Sequence, residues 1–293
     1  MIKENIVSLV DGFTVELNPK VRHKLKSIPL DKKNNVYITY LPDATENDIL
    51  ETVDFVSKQE LTPITHLPAR TMKDLDHVSD FLKELRNRTD SKKILVIGGG
   101  GNQNGSVSSS LEILESGLLK DNEFEEIGIA GHPEGSPDID QNTVNEFLDK
   151  KYELSKNKNL SLELVTQFFF NAEPFIKWCK FLDSSNIKLP VRVGFPGPAS
   201  FKTLLNFGIM SGVGNSLSFL KKNSSKVTDL LTKTSNDEMF IELANFSKEQ
   251  SSFKNFHCFP FGGFEKTCHW LNALQNGDFT MENDKIVLHN KIF

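Results

Sequence analysis

Short apolar runs recur along this chain, and between them lie segments with apolar residues every three or four positions. The runs read as strands over Phe13–Leu17, Val36–Leu41, Thr62–His66, Ile94–Ile97, Ile127–Gly131, Leu162–Phe169, Val191–Phe195 and Phe256–Phe259. The segments between them read as helices. Asp43-Ala44-Thr45-Glu46 opens one, with Ile49, Leu50, Val53 and Val56 on its apolar face, and Thr71 opens the next, ahead of Leu75, Val78, Phe81, Leu82 and Leu85. Asp140 starts a third with Val144, Phe147 and Leu148 facing inward. Pro174 suits the first turn of a fourth, followed by Phe175, Trp178, Cys179 and Leu182.

Strands that alternate with helices pair in parallel through right-handed crossovers. Eight such units at even spacing favour a closed barrel over an open doubly wound sheet, so the predicted fold is α/β, a (β/α)8 TIM barrel. One connection breaks the rhythm. Residues 200–250 are too many for a single crossover and read as several helices, with Ser216–Lys222 as an extra helical insertion between strands seven and eight. No internal repeat, low-complexity tract or linker divides the sequence. Residues 1–293 therefore read as a single catalytic barrel domain.

Composition narrows the partners. A net charge of −5 lacks the clustered basic excess of a nucleic-acid surface. No apolar stretch reaches 18 residues and Met1-Ile2-Lys3-Glu4-Asn5 has no signal-peptide core, so the expectation is a cytoplasmic protein with no membrane partner. Cys179, Cys258 and Cys268 are odd in number and form no CxxC pair, which fits a reducing compartment. No metal is expected, because His132 with Glu134 and Cys268 with His269 lack further ligands at matching spacing. A GxSxG elbow and a P-loop lysine motif are both missing, which removes support for a hydrolase triad or a kinase. Oligomeric state stays open, although the outer helices of such barrels often pair in homo-oligomers.

Parallel barrels place their sites at the carboxyl ends of the strands. In Leu164-Val165-Thr166-Gln167-Phe168-Phe169-Phe170-Asn171 one uncharged amide interrupts a run shaped like a buried strand, and three rings follow it. Burying Gln167 strands two donors and an acceptor unless a ligand with its own polar edge meets them. Glu16 lies between Val15 and Leu17, so it points either into the barrel, as a proton donor, or out, as half of an ion pair. Thr39 offers a hydroxyl and His66 a ring nitrogen at the ends of strands two and three; His66 also reads as a satisfied core histidine. Strand four runs into Gly98-Gly99-Gly100-Gly101, which either presents backbone N–H groups to an anion or forms a ligand-free lid. Two prolines and two glycines stiffen the loop that carries His132, Glu134 and Ser136. The loops after strands seven and eight bring Phe201 and Phe259 to the same rim, where a ring can stack on a planar ligand.

Together these strand ends resemble the methylenetetrahydrofolate reductase family of flavin-bearing barrels, from about Phe13 to Leu274. The most specific part is Thr166-Gln167-Phe168-Phe169-Phe170 with the Phe201 loop after it. Ala130-Gly131-His132-Pro133-Glu134-Gly135 resembles the family's A-G/A-Y-P-E-G segment, and Thr65-His66-Leu67 and Phe256-His257 are weaker matches. The resemblance implies FAD at the barrel mouth, NAD(P)H as co-substrate and a folate stacked on the flavin. By the same likeness, Glu16 matches the acid that protonates the folate as its methylene bridge opens. Gln167 matches the amide that bonds the pterin, and Phe201, with Phe169 and Phe259, matches the substrate-facing rings. Thr39, His66, Gly99, Gly100, Gly101, Ser109, Ala130, Gly131, His132, Glu134, Ser136 and Lys151 would line the FAD. The implied activity interconverts 5,10-methylenetetrahydrofolate and 5-methyltetrahydrofolate, and a folate-binding or methyl-transfer barrel without FAD is the other reading. The chain departs from the family at two places. Gly99-Gly100-Gly101 replaces the usual Arg-Gly-Asp, and His132 replaces the usual Tyr, with Ser136 where a His is usual. Loss of the carboxylate beside the flavin is expected to raise its potential and favour the oxidative direction.

Overall fold

A computed structural model describes residues 2–100, 103–137, 139–211, 213, 237–248, 250 and 252–290. Eight parallel strands close into a barrel in sequence order: β1 Thr14–Leu17, β2 Val36–Ile38, β3 Pro63–Pro68, β4 Lys93–Ile97, β5 Glu126–Gly131, β6 Ser161–Thr166, β7 Val191–Pro196 and β8 Phe253–Phe259. Closure runs through β1 and β8, where Thr14 pairs with His257 and Val15 with Cys258. The outer layer comprises α1 Ile2–Val10, α2 Glu46–Ser57, α3 Leu75–Arg88, α4 Ser110–Ser116, α5 Leu118–Asp121, α6 Gln141–Lys158, α7 Ala172–Ser184, α8 Phe201–Met210, α9 Asp237–Phe246 and α10 Phe264–Gln275. The eight expected strands are all present, and the barrel is a (β/α)8 TIM fold. The expected helix at Ser216–Lys222 lies outside the described residues; α8 and α9 are the described helices between β7 and β8.

The helix starts follow from local chemistry. Thr45 caps α2 in a reciprocal box with Asp48, and Asp140 caps α6 through the N–H groups of Asn142 and Thr143. Asn171 caps α7, which puts Pro174 in its first turn. Thr71 falls short of this role: it closes a 3-10 turn at Ala69–Thr71, and Asp74 caps α3 instead. Beyond the barrel, β9 Phe279–Glu282 and β10 Lys285–Leu288 form a hairpin. Its two-residue turn, Asn283-Asp284, takes positive φ at both positions, 49° and 58°, as a right-twisted hairpin requires.

Alternation along the strands divides the apolar residues between two cores. Val15, Leu17, Val36, Ile38, Ile127, Ile129, Val191 and Val193 face outward into the layer beneath the helices. Tyr37, Ile64, Leu95 and Val165 fill a smaller cluster inside the barrel. Charged residues share that interior, at the amino-terminal end of the strands. Arg192 donates to Glu163 at 2.6 Å and to Asn255 at 2.7 Å, Lys254 reaches Glu163 at 2.7 Å, and Tyr37 donates to Glu163 at 3.2 Å. Lys93 and Glu126 add a further pair at 3.1 Å. This layer forms a floor at the amino-terminal end of the barrel.

Candidate functional site

Glu16 takes the inward position on β1, since Val15 and Leu17 on either side of it belong to the outer core. Its carboxyl is 17% exposed, and one oxygen, Oε1, faces two imidazoles: His257 Nε2 at 3.5 Å and His66 Nε2 at 3.7 Å. Neither nitrogen has a hydrogen-bond partner among the described residues. Gln167 follows directly on β6, where its backbone N–H donates to the Gly131 carbonyl at 3.1 Å, and its side-chain Oε1 is likewise buried without a partner. Buried polar atoms are nearly always satisfied in native proteins. Three unsatisfied ones supplied by β3, β8 and the residue after β6 therefore mark a place built to receive polar atoms from elsewhere.

Burial pushes the His66 imidazole down to about 4, against a smaller upward pull from Glu16, so the ring is neutral near pH 7. His257 is fully buried, and its other nitrogen, Nδ1, is 2.9 Å from the Thr14 hydroxyl. Thr39 is buried nearby and donates to the Leu17 carbonyl at 3.4 Å.

One wall of the mouth is aromatic. Phe168 and Phe170 form a buried cluster with Ala199, Leu204 and Val213, and Phe201, Phe207, Phe259 and Phe261 pack against it. Phe168 meets Phe261 edge-on at 4.6 Å and Phe259 at 5.4 Å, while Phe207 stacks on Phe261 at 4.0 Å. The expected rings Phe201 and Phe259 are therefore in this wall. Phe169 is not: it is buried in the outer core, stacked on Phe175 of α7 at 5.3 Å. Because β6 ends at Thr166, two residues ahead of Phe168, the strand alternation does not carry through the three rings, and Phe168 takes the place expected of Phe169.

The β4 and β5 loops form the other side. A side chain at Gly98 or Gly100 would meet nothing within 4 Å, so both face open space. Gly99 sits at φ +84°, where other residues are strained. Gly101 lies outside the described residues. The loop is tied down beyond it, where Asn104 N–H donates to the Arg70 carbonyl at 2.7 Å. Ala130 is half-buried and on the interior side of β5. Gly131, by contrast, faces the helical layer: a Cβ there would fall 2.9 Å from the Trp178 ring, so its small size serves packing against α7 rather than lining the mouth. Ser109 caps α4 by accepting from Glu112 N–H, which commits its hydroxyl to the helix.

His132, Glu134 and Ser136 lie on the half-buried loop between β5 and α6. Burial, aided by the Lys151 charge, holds His132 down to about 4, and burial lowers Lys151 to about 8. Lys151 projects from α6 and has no ion-pair partner among the described residues. A half-buried cation with no carboxylate beside it is suited to an anion.

Thr14 escaped sequence reasoning, whereas Phe168, His257 and Phe261 stood out at strand ends without being assigned to the site. The alternation on β8 carried the signal: Phe256 and Cys258 belong to the outer core, so His257 and Phe259 must point inward.

The sequence matches no protein-family model. Among solved structures, the fold is similar to an uncharacterized protein from Clostridium thermocellum that binds two copies of 5-methyl-5,6,7,8-tetrahydrofolic acid. That likeness has 13% identity and a TM-score of 0.55, over 90% of this chain and 93% of that one. Fainter likenesses reach 7,8-dihydropteroate synthase from Vibrio fischeri ES114, with 11% identity, TM-score 0.45 and 90% and 92% coverage. N-acetylneuraminate lyase from Fusobacterium nucleatum gives 10% identity, TM-score 0.41 and 90% and 97% coverage. At 13% identity the first likeness extends to the architecture, and it agrees with the closed eight-stranded barrel observed here.

Proposed function

We propose that this chain is a flavin-dependent oxidoreductase that interconverts 5,10-methylenetetrahydrofolate and 5-methyltetrahydrofolate, with NAD(P)H as redox partner. The observation that carries the reading is the meeting of Glu16, His66 and His257 inside the barrel, with Gln167 at the end of β6 and three of these side-chain atoms buried without a hydrogen-bond partner among the described residues. A pterin brings a dense edge of donors and acceptors on a flat ring, which suits an amide on one side and an aromatic wall on the other. Binding of 5-methyltetrahydrofolate by a similarly folded barrel supports the same substrate class.

In this reading Gln167 orients the pterin through its side-chain amide, and Phe201 and Phe259 cover the apolar part of the ligand. Glu16 supplies the proton that assists opening of the methylene bridge and takes it back in the reverse direction. Flavin, when bound, carries the hydride between pyridine nucleotide and folate. The residues present fit that group on two counts. Gly98 and Gly100 leave room for close approach, and Lys151 beside His132 offers an unpaired half-buried cation to a phosphate.

The purified protein tests this directly. It should show flavin absorbance, lose it anaerobically on addition of NAD(P)H, and lose it again, after reoxidation, on addition of 5-methyltetrahydrofolate. A second reading is favoured by the uncharged Gly99-Gly100 pair, which stands where the resemblance expects Arg and Gly before an Asp. In that reading the barrel binds folate, or serves methyl transfer, without FAD. Colourless protein that binds 5-methyltetrahydrofolate would select it.

A further inference from the structure

Arg70 stands apart from the other arginines of the chain. Arg22, Arg86, Arg88 and Arg192 each bond a carboxylate, on Glu51, Glu123, Asp54 and Glu163. The Arg70 side chain is half-buried and makes no hydrogen bond or ion pair among the described residues. Its planar fork of five N–H donors is costly to leave unmet where water is scarce. The backbone around it, in contrast, is fixed on both sides. Arg70 N–H donates to the Gly98 carbonyl at 2.9 Å, and the Arg70 carbonyl accepts from Asn104 N–H at 2.7 Å. Further along, Asn104 Nδ2 donates to the Thr71 carbonyl at 3.1 Å and Ser106 N–H to the Lys73 carbonyl at 2.6 Å. A Cβ at Gly105 would fall 2.0 Å from the Lys73 oxygen, so the loops touch too closely for a side chain there. The β3 and β4 loops are therefore laced into one unit at the carboxyl end of the barrel. It holds Arg70 beside the glycines: a Cβ at Gly99 would lie 3.9 Å from the Arg70 Cβ, while Gly98 and Gly100 face open space.

We propose that Arg70 is the cationic contact for the edge of the flavin ring, where its guanidinium bonds N1 and the C2 carbonyl and holds reduced flavin more tightly than oxidised flavin. The inference rests on the flavin-dependent reading and deepens it, by naming a residue that sets the redox potential. The glycines favour a ring over a phosphate at this place. With no side chain on their open face, Gly98 and Gly100 let a flat ring lie against the loop, and a guanidinium beside it can bond two adjacent acceptors at the ring's edge. Hydride from NAD(P)H brings two electrons and one proton, so the ring that accepts it gains one net negative charge, shared by N1 and the C2 oxygen. The β4 glycines carry no charge that opposes or balances it. Arg70 thus meets a stronger acceptor after reduction than before, and a group with different affinity for two states shifts the equilibrium between them.

The test reads flavin binding in both redox states rather than turnover. FAD is titrated into the flavin-free protein, and the midpoint potential of the loaded protein is measured anaerobically. We expect Arg70→Gln to weaken reduced flavin at least about tenfold more than oxidised flavin, the scale of one lost charge-assisted hydrogen bond. For a two-electron couple that ratio lowers the midpoint potential by at least about 30 mV. Arg70→Lys, which keeps the charge and loses the fork, should fall between the two. The side chain has no partner to lose and its backbone bonds survive substitution, so flavin-free Arg70→Gln should melt at or above the wild-type temperature. Equal weakening of both redox states would make Arg70 a phosphate contact, and unchanged affinity and potential would place the ring elsewhere. Either result overturns the inference and leaves the flavin reading standing. A marked fall in the melting temperature of the flavin-free variant, restored in Arg70→Lys or not, overturns it as well by giving the guanidinium a structural role. Wild-type protein that binds no flavin overturns the flavin reading itself, and the inference with it.

Discussion

Glu163 on β6 and Arg192 on β7 share a hydrogen bond of 2.6 Å on the floor of the barrel, with side chains only 9% and 3% exposed. Placing two charges where water is scarce is costly, and the pair is tolerable because each is bonded further, Glu163 to Lys254 and Tyr37 and Arg192 to Asn255. Removing one partner should therefore cost more than removing both. Arg192→Met is expected to destabilise the fold by about 3–5 kcal/mol, and Arg192→Met with Glu163→Leu by distinctly less. Urea denaturation of the three proteins decides the point: a double variant no more stable than Arg192→Met would show that the floor is not an ion-pair layer.

The sequence made the barrel legible and left this floor unread. The outward residues of the strands are apolar, as in Val191 and Val193, Leu162 and Leu164 or Phe256 and Cys258, and they produce the apolar runs that identify the strands. Arg192 and Glu163 sit at the alternate positions of those same runs, where they look like interruptions of a buried strand rather than an interior layer. Which strand faces which across the barrel is a tertiary fact that spacing alone does not contain. The same limit applies at the mouth. Gln167 and Glu16 stand out as polar residues among apolar ones, whereas the exchange of Phe169 for Phe168 depends on where β6 stops pairing. The terminal hairpin was missed although Asn283-Asp284 is turn-forming, because its strands are short and partly exposed.

Acid should loosen the floor through Glu163. Burial alone would raise its carboxyl, but Arg192 and Lys254 together override that and hold it below the ordinary range. A group whose folded value is depressed stabilises the fold above its unfolded value and loses that contribution as pH falls through the folded value. The loss therefore begins below about pH 4.5, the ordinary glutamate value, and continues downward. In Glu163→Gln this part of the slope should vanish. An acid titration of stability with the same slope for both proteins below pH 4.5 would contradict it.

His66 should produce a separate loss at milder pH. Burial depresses the ring from 6.5 to about 4, so the unfolded chain takes up a proton that the folded chain refuses. Stability is full above pH 6.5 and falls as pH drops toward 4, by an amount on the order of 3 kcal/mol. His66→Gln, compared with the wild type by thermal melting across that window, should flatten the profile. An unchanged slope would mean that the ring is not buried as a neutral group.

Gln167 separates ligand binding from stability. Its side-chain oxygen is buried and unpartnered, so its removal takes no hydrogen bond from the folded protein. Gln167→Leu should keep or slightly raise the melting temperature while weakening 5-methyltetrahydrofolate binding by about tenfold or more, the scale of an unmade polar contact. Titration calorimetry beside a melting curve reads both. A large fall in melting temperature with unaltered affinity would make the amide a structural element.

Gly100 offers a test of the proposed flavin site. A side chain there would meet no atom within 4 Å, so Gly100→Asp can add a charge to the β4 loop without disturbing the packing. If flavin lies against this loop, a carboxylate beside it disfavours added electron density on the ring. One unit charge at about 4 Å is worth on the order of 1–4 kcal/mol at effective dielectrics between water and a protein surface. Gly100→Asp should therefore lower the midpoint potential of the flavin, and at high salt the difference should shrink if the charge stands in solvent. The wild-type chain, which lacks the charge, should oxidise 5-methyltetrahydrofolate more readily than the variant does. A redox titration with equal potentials for the two proteins would place the flavin away from this loop and leave the preference for the oxidative direction without a physical cause.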